Sequence, residues 1–391
     1  MESVPRKNNT QENKSSYESI VLALGLERSK DGNFTIPDID NMEKPTKLCD
    51  DLEYELLMEK FEGFNCVDSE PVTRPLSDTT LFTTSGVQRI ETMLNNTENI
   101  LDKEMVVFQP VLRSQFIDGV KEGYSSSFLN LSIIKTSSEI RDVVSMSKKM
   151  ISLIACHTEL GRNDLTINFE ENNAFWGENK FRNIVISFSV RGVEVGECVY
   201  ISDFPINEQK SVNIIDIGIG LERFSWALRG NSSFYFGKHS ELYLDLIEQK
   251  YDIDKVAKII DPLRSMTLLA MENVEPSNKN HGYRLRQLSK RFIQHSHTTK
   301  INIENLIKTS YEEWSKWGHK SICNIESVIN LIKQENDRNF NRLILNLLQE
   351  ESGLNLYINI NQDTQSFLEQ INFSVDKSII NNILSNTNYE I

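Results

Sequence analysis

A chain of 391 residues that is 39% hydrophobic and 25% charged has the make-up of a globular protein large enough for two or three domains. A formal net charge of -14 argues against nucleic-acid binding by the surface as a whole, while leaving room for a local basic face. No apolar run approaches the ~20 residues of a membrane span. The five cysteines are scattered without a Cys-x-x-Cys pair, which argues against a zinc ribbon or disulfide framework and suits a reducing cytoplasm.

Residues 1–16 are polar, lack an apolar signal core and are expected to form a disordered tail. Residues 17–26 read as a short helix, followed by a loop rich in Pro, Asp, Asn and Gly. Leu52, Leu56, Leu57 and Phe61 repeat at helical spacing within 47–61, and Gly63 is a plausible stop. Residues 65–72 read as a strand that Pro71 pushes towards a sheet edge. Residues 79–90 give a short strand, a turn at Gly86 and a helix start. Residues 106–134 read as strand, polar loop and strand, an antiparallel hairpin with a long tip. Arg113 lies on its first strand, where a guanidinium can point at an anion.

Residues 137–158 are predicted helical and 171–180 a loop. Two strands, 183–192 and 193–201, meet at Gly192. A strand over 212–215 then runs through Asp216, Gly218 and Gly220 into a helix with Leu221, Phe224 and Leu228 at helical spacing. A strand that turns through glycine into a helix brings backbone close to a ligand and points N–H groups outward. Asp216 and Arg223 flank this turn, a carboxylate suited to an amine and a guanidinium suited to a phosphate.

From about residue 238 the strands nearly stop. Residues 242–248, 254–273, 283–296, 303–316 and 325–349 all read as amphipathic helices. One segment places Lys279, Arg284, Arg286, Lys290 and Arg291 on a helix and its entry loop, a dense basic patch of the kind that meets phosphates. His295 and His297 lack surrounding ligands, so no metal site is assigned. The tail from 353 is Asn-rich with one weak helix. The pattern is α+β: an antiparallel sheet with flanking helices over 17–236, an all-α domain over 237–352, and a C-terminal remnant over 353–391.

Several motifs then fall in one order. Gln109-Pro110-x-x-Arg113 lies on the first hairpin strand, and Asp216-x-Gly218-x-Gly220-Leu221-Glu222-Arg223 forms the strand-to-helix turn. Pro276-Ser277-Asn278 precedes Gly282-Tyr283-x-x-Arg286. With the stretch around 58–72 and the closing helix around 326–351, these resemble the N-terminal catalytic and acceptor-stem-binding part of alanyl-tRNA synthetase, a class II aminoacyl-tRNA synthetase, in its archaeal form.

The resemblance implies a class II sheet and ATP-dependent activation of alanine or a similar small amino acid. The aminoacyl group then passes to the 3′ end of tRNA. It implies that Arg113 grips the α-phosphate and the amino-acid carboxylate, and that Arg223 holds the far end of the triphosphate. Asp216 would bind the substrate α-ammonium, Gly218 would line that pocket, and a small pocket near Val195 and Gly196 would suit alanine, glycine or serine. Asn278 would read the acceptor stem, with Arg284, Arg286, Lys290 and Arg291 beside it. Arg264 matches a family arginine to which no role is assigned. ATP and magnesium are the implied cofactors, magnesium being held largely by the phosphates.

The second hairpin strand departs from the family. An Arg-His pair and a later Phe-Glu-Met are replaced by Tyr124, Ser125, Ser126, Ser127, Phe128, Leu129, Asn130 and Leu131. Either Phe128 stacks on adenine with Leu129 in place of the glutamate, or Leu129 stacks and Asn130 takes the polar role. Gln370 stands where the family has an aspartate that reads a wobble pair. The editing and dimerisation domains have no counterpart in the sequence, so a monomer is expected. Two other readings remain open: an adenylate-forming paralogue with another acceptor or in a side pathway, and a non-catalytic RNA-binding or regulatory paralogue.

Overall fold

The computed structural model describes residues 17–37, 61–78, 80–96, 98–116, 123–157, 160–161, 163–176, 179–207, 209–229, 246, 251–372, 375 and 377–387. The expected tail over 1–16, most of the helix over 47–61 and most of that over 242–248 lie outside the described residues.

A nine-stranded sheet organises the first half. Its strands are β1 (Glu27–Arg28), β2 (Phe34–Thr35), β3 (Asn65–Val67), β4 (Glu104–Leu112), β5 (Ser127–Thr136), β6 (Leu165–Trp176), β7 (Asn179–Val190), β8 (Val193–Asn207) and β9 (Lys210–Gly220). Their spatial order is β1-β2-β6-β7-β8-β9-β5-β4-β3. The β4–β5 and β7–β8 pairs are antiparallel, as the sequence suggests, and β9 with the unexpected β6 extends the latter into an antiparallel meander. β3 sits at the edge beside β4 but runs parallel to it, so the sheet is mixed. Residues 171–180 also differ from expectation, because β6 and β7 pair through most of this stretch. Ladder hydrogen bonds satisfy this polar hairpin without an apolar alternation to announce it.

Alternation along the strands divides the sheet into two faces. Leu129, Leu131 and Ile133 of β5 and Ile215, Ile217 and Ile219 of β9 pack in one buried cluster. There they meet Val143, Met146, Met150 and Ile154 of the helix Ile140–His157. We label the helices α1 (Glu18–Leu24), α2 (Arg89–Asn95), α3 (Ile140–His157) and α4 (Leu221–Arg229) in this half. At one end of the opposite face, Val107, Ile134 and Ile214 pack against Ile90 and Met93 of α2. The other end of that face is a cavity.

The second half is helical: α5 (Ile253–Met271), α6 (Asn280–Ser296), α7 (Ile303–Lys316), α8 (Ile325–Ser352), α9 (Thr364–Ile371) and α10 (Lys377–Ser385). α5 is buried along most of its length and is surrounded by Leu288, Phe292, Trp314, Val328 and Phe340. The side chains of Asn302 and Asn324 accept N–H bonds from Asn305 and Ser327 at the starts of α7 and α8, and Gly353 ends α8 in the left-handed region. The tail holds two helices, α9 and α10, rather than one. Phe367, Ile371, Ile380 and Ile383 complete the helical core, and an Asp363 carboxylate accepts the Ser366 N–H at the start of α9. Its Asn-rich composition hides this sparse apolar face.

Buried polar contacts join the two halves. Asp261 of α5 accepts from the Ser126 N–H at 2.7 Å and from the Ser126 hydroxyl at 2.5 Å, and pairs with Arg291 of α6 at 3.0 Å. Arg264 donates to Glu222 of α4 at 3.2 Å and stacks on Trp314 at 4.7 Å from the ring centre. Glu222 in turn accepts the Leu129 N–H at 3.1 Å. The hairpin strand β5 and the glycine turn are thus held from below by α5. No helix among the described residues is long and apolar enough to cross a membrane.

Candidate active site

The cavity, of about 210 Å³, opens on the face of β5, β8 and β9 that α3 leaves free. Strand period settles which side chains enter it. Phe128 and Asn130 of β5 line it, as do Asp216, Gly218 and Gly220 of β9. Leu129 points the other way, 2% exposed, into the core above α3. Of the two registers open in the sequence, the structure therefore excludes Leu129 from the cavity.

Arg113 and Arg223 bring two positive charges to one side. The Arg113 guanidinium lies 4.8 Å from the centre of the Phe128 ring, and burial followed by the neighbouring Arg223 charge pushes its pKa down. Arg223, on α4, lies 4.3 Å from the centre of the Tyr124 ring. It donates from Nε to the Gly123 carbonyl at 3.0 Å and pairs with Glu194 at 3.6 Å. Two cations sharing a cavity favour an anion between them.

Asp216 supplies the opposite charge. Its side chain is 6% exposed, and Oδ1 is buried without a hydrogen-bond partner. Burial pushes the carboxyl up to about 7, opposed by the nearby Ser132 hydroxyl and reinforced by the charge of Glu197. A buried carboxylate oxygen without a donor is costly unless a ligand supplies one.

Asn130 is oriented by its neighbours. The Gly86 N–H donates to its Oδ1 at 3.0 Å, and the Ser132 hydroxyl donates to the same oxygen at 3.0 Å. Its Nδ2 therefore faces Gly218, so it offers a donor rather than an acceptor there. Gly196 is packed tightly: an added Cβ would lie 2.8 Å from Met150 and 2.9 Å from the Gly218 carbonyl oxygen. Gly196 and Gly218 both line the cavity.

The basic residues of α6 do not act alike. Asn278, Arg286, Lys290 and Arg291 line a second depression of about 540 Å³ between α6 and α8. Arg286 donates to Asn278 and lies 3.7 Å from Glu335. Lys290 is exposed, whereas Arg291 is 8% exposed and tied to Asp261. Arg284 lies outside this depression and donates to Gln287 at 2.7 Å. Gly282 lets the entry loop close on α6, since a Cβ there would fall 2.2 Å from the Glu275 carbonyl oxygen.

Sequence reasoning missed Arg338 and Arg342 of α8, which line the same depression from the other side. It also missed Tyr124, Glu194 and Glu197 at the cavity, and Asp261 beneath it. Glu197 had a signal, an acid inside an apolar strand run; Arg338 and Arg342 had none local, being far along the chain from α6. Gln370 donates to the Gln362 side chain on the surface, apart from both cavities.

A mixed sheet flanked by helices, with this cavity on its open face, is consistent with an α+β fold of the class II synthetase kind. No family model matches the chain. Sequence comparison gives a more particular likeness, to alanine–tRNA ligases. The chain is 29% identical to that of Buchnera aphidicola subsp. Baizongia pistaciae over 163 residues, 37% of this chain and 18% of that protein. It is 37% identical to that of subsp. Schizaphis graminum over 123 residues, 29% and 14% of the two chains. It is 26% identical to that of subsp. Acyrthosiphon pisum over 211 residues, 50% and 21%. The matched part spans about a fifth or less of these curated relatives. All three are named alanine–tRNA ligase.

Proposed function

We propose that this chain activates a small amino acid with ATP, forming an aminoacyl adenylate, and passes the aminoacyl group to the 3′ end of a tRNA. The observation that carries this is the buried, unpartnered Asp216 Oδ1 in the same cavity as Arg113 and Arg223. In this reading Asp216 holds the substrate α-ammonium, which restores the charge balance that burial disturbs. Arg113 draws the amino-acid carboxylate and the α-phosphate together, and Phe128, already beside the Arg113 guanidinium, offers a flat surface for adenine.

A carboxylate oxygen attacks the α-phosphorus, the bond to the bridging oxygen breaks, and pyrophosphate leaves. Positioning and fixed charge do the work, without a covalent bond to the protein. Magnesium would arrive on the triphosphate, held largely by the phosphates. Glu194 at the cavity is a hard oxygen donor suited to it, and the ion would neutralise phosphate charge. A terminal ribose hydroxyl then attacks the adenylate carbonyl carbon, the bond from that carbon to the phosphate oxygen breaks, AMP leaves, and the hydroxyl proton passes to its phosphate or to water.

The named activity of the relatives supports alanine and tRNA as the substrate and acceptor. The depression between α6 and α8, with Asn278, Arg286, Lys290, Arg338 and Arg342, is the surface proposed to meet the acceptor stem. We place the protein in the cytoplasm as a monomer. One observation favours a second reading, an RNA-binding paralogue without adenylate chemistry. The run 124–131 lacks the family's basic pair, and its Ser126 and Ser127 are turned into the junction with α5.

ATP–pyrophosphate exchange across the small amino acids, beside Arg113→Ala, separates the two. Exchange with one amino acid that the substitution abolishes supports the enzyme. A folded protein inactive with all of them favours the paralogue.

A further inference from the structure

The cavity holds more negative charge than the proposed reaction uses. Asp216 of β9 and Glu197 of β8 stand on the same open face. Val199 pairs with Asp216 and Glu197 with Gly218, so the two acids are diagonal neighbours across one ladder. Diagonal neighbours of this kind are roughly 7–8 Å apart at Cα, within reach of side chains that converge on one ligand. Both line the cavity, as does Val199 of β8, which stands opposite Asp216.

The charges around Glu197 come from every strand that faces it. Glu194 lies on its own strand, Glu170 on β6, Asp216 on β9, and Arg113 follows β4. Ser187 of β7 offers its hydroxyl at 3.5 Å, the limit of a hydrogen bond. Burial, followed by the Glu194 charge, pushes the Glu197 carboxyl up. Arg113 opposes that rise from a distance, but in the proposed reaction its charge is directed to the α-phosphate and the amino-acid carboxylate. Asp216 is directed to the α-ammonium, and Arg223 already meets Glu194. With ATP and an ordinary amino acid in place, Glu197 is the carboxylate left without a cation of its own.

We infer that the amino acid bound here carries a second ammonium on a side chain of one or two carbons, held by Glu197, and is a short diamino acid rather than alanine. The inference rests on the adenylate-forming reading and names its substrate class. Asp216 and Glu197 then act as a pair that grips two nitrogens, one on Cα and one further along. A methyl group would leave the part-buried Glu197 carboxylate facing carbon.

The test is pyrophosphate exchange with 2,3-diaminopropionate, 2,4-diaminobutyrate and alanine, for the wild type and Glu197→Gln. Melting curves confirm that the variant is folded. The kcat/KM of the better diamino acid is expected to exceed that of alanine at least tenfold. The substitution is expected to cut this ratio by about tenfold to a hundredfold, the range of one charge-assisted hydrogen bond.

Alanine as the best substrate, or a ratio that E197Q leaves unmoved, overturns the inference while leaving adenylate chemistry in place. An equal fall for every amino acid also overturns it, because Glu197 then acts by positioning Arg113. Exchange with no amino acid refutes the adenylate reading, and thermal shift with the amino acids alone then decides the inference. Stabilisation by a diamino acid, lost in E197Q, upholds it; equal stabilisation by alanine, or none, overturns it.

Discussion

Replacing Asp216 with asparagine should remove a pH dependence built into the fold. Burial pushes this carboxyl up to about 7, from an ordinary value of 3.8. Because the folded value lies above the unfolded one, the unfolded chain releases its proton first as pH rises. Stability from this group is therefore full below about pH 4 and falls progressively up to about pH 7. Between pH 5 and pH 8 the wild-type protein should lose about 2–3 kcal/mol through this group alone, taking 1.36 kcal/mol per pKa unit. Asparagine keeps the size but cannot ionise, so Asp216→Asn should lose that component of the slope. Urea unfolding of both proteins at pH 5, 6, 7 and 8, without ligands, gives the difference directly. Equal slopes in the two proteins would refute the argument that Asp216 is desolvated and lacks a cation in the unliganded state. The constant cost of burying an amide there cancels, because only the change with pH is compared.

Arg113→Ala should lower pyrophosphate exchange by at least ~10²-fold, the range for one removed charge donor at a reacting centre, with the melting temperature little changed. Asp261→Ala removes the carboxylate that holds both Ser126 and Arg291, and should cost about 3–5 kcal/mol in urea unfolding. Gly282→Ala drives a Cβ against backbone at 2.2 Å and should destabilise by about 3 kcal/mol, read as a lower urea midpoint. Arg342→Ala should weaken RNA binding and reduce the salt slope of the binding constant by about one. A slope unchanged by Arg342→Ala would remove the α8 side of the depression from the proposed RNA surface.

The parts legible in the sequence are those whose signal is local. The β4–β5 hairpin showed as two apolar runs around a polar loop, and the Asp216–Arg223 turn as strand, glycines and helix. The side chains singled out around them, Arg113, Phe128, Asn130, Asp216, Gly218 and Arg223, line one cavity. What stayed hidden depends on contacts between distant segments. Leu129 and Asn130 could be told apart only once the face packed on α3 was known. Arg291 looked like one more surface cation until Asp261, 30 residues earlier, was seen to hold it. The outer parts of β6 and β7 are polar, so ladder pairing rather than apolar alternation makes them strands. The parallel setting of β3 beside β4 likewise leaves no mark in its own three residues.

The central claim is that Asp216 receives the ammonium of an activated amino acid while Arg113 receives the phosphate it is joined to. The most direct measurement is a crystal structure with a non-hydrolysable aminoacyl sulfamoyl adenosine. The expected result places the ligand's α-ammonium within ~3 Å of Asp216 Oδ1, its sulfamoyl group on Arg113 and its adenine against Phe128. A ligand bound elsewhere, or with its ammonium away from Asp216, would contradict the account.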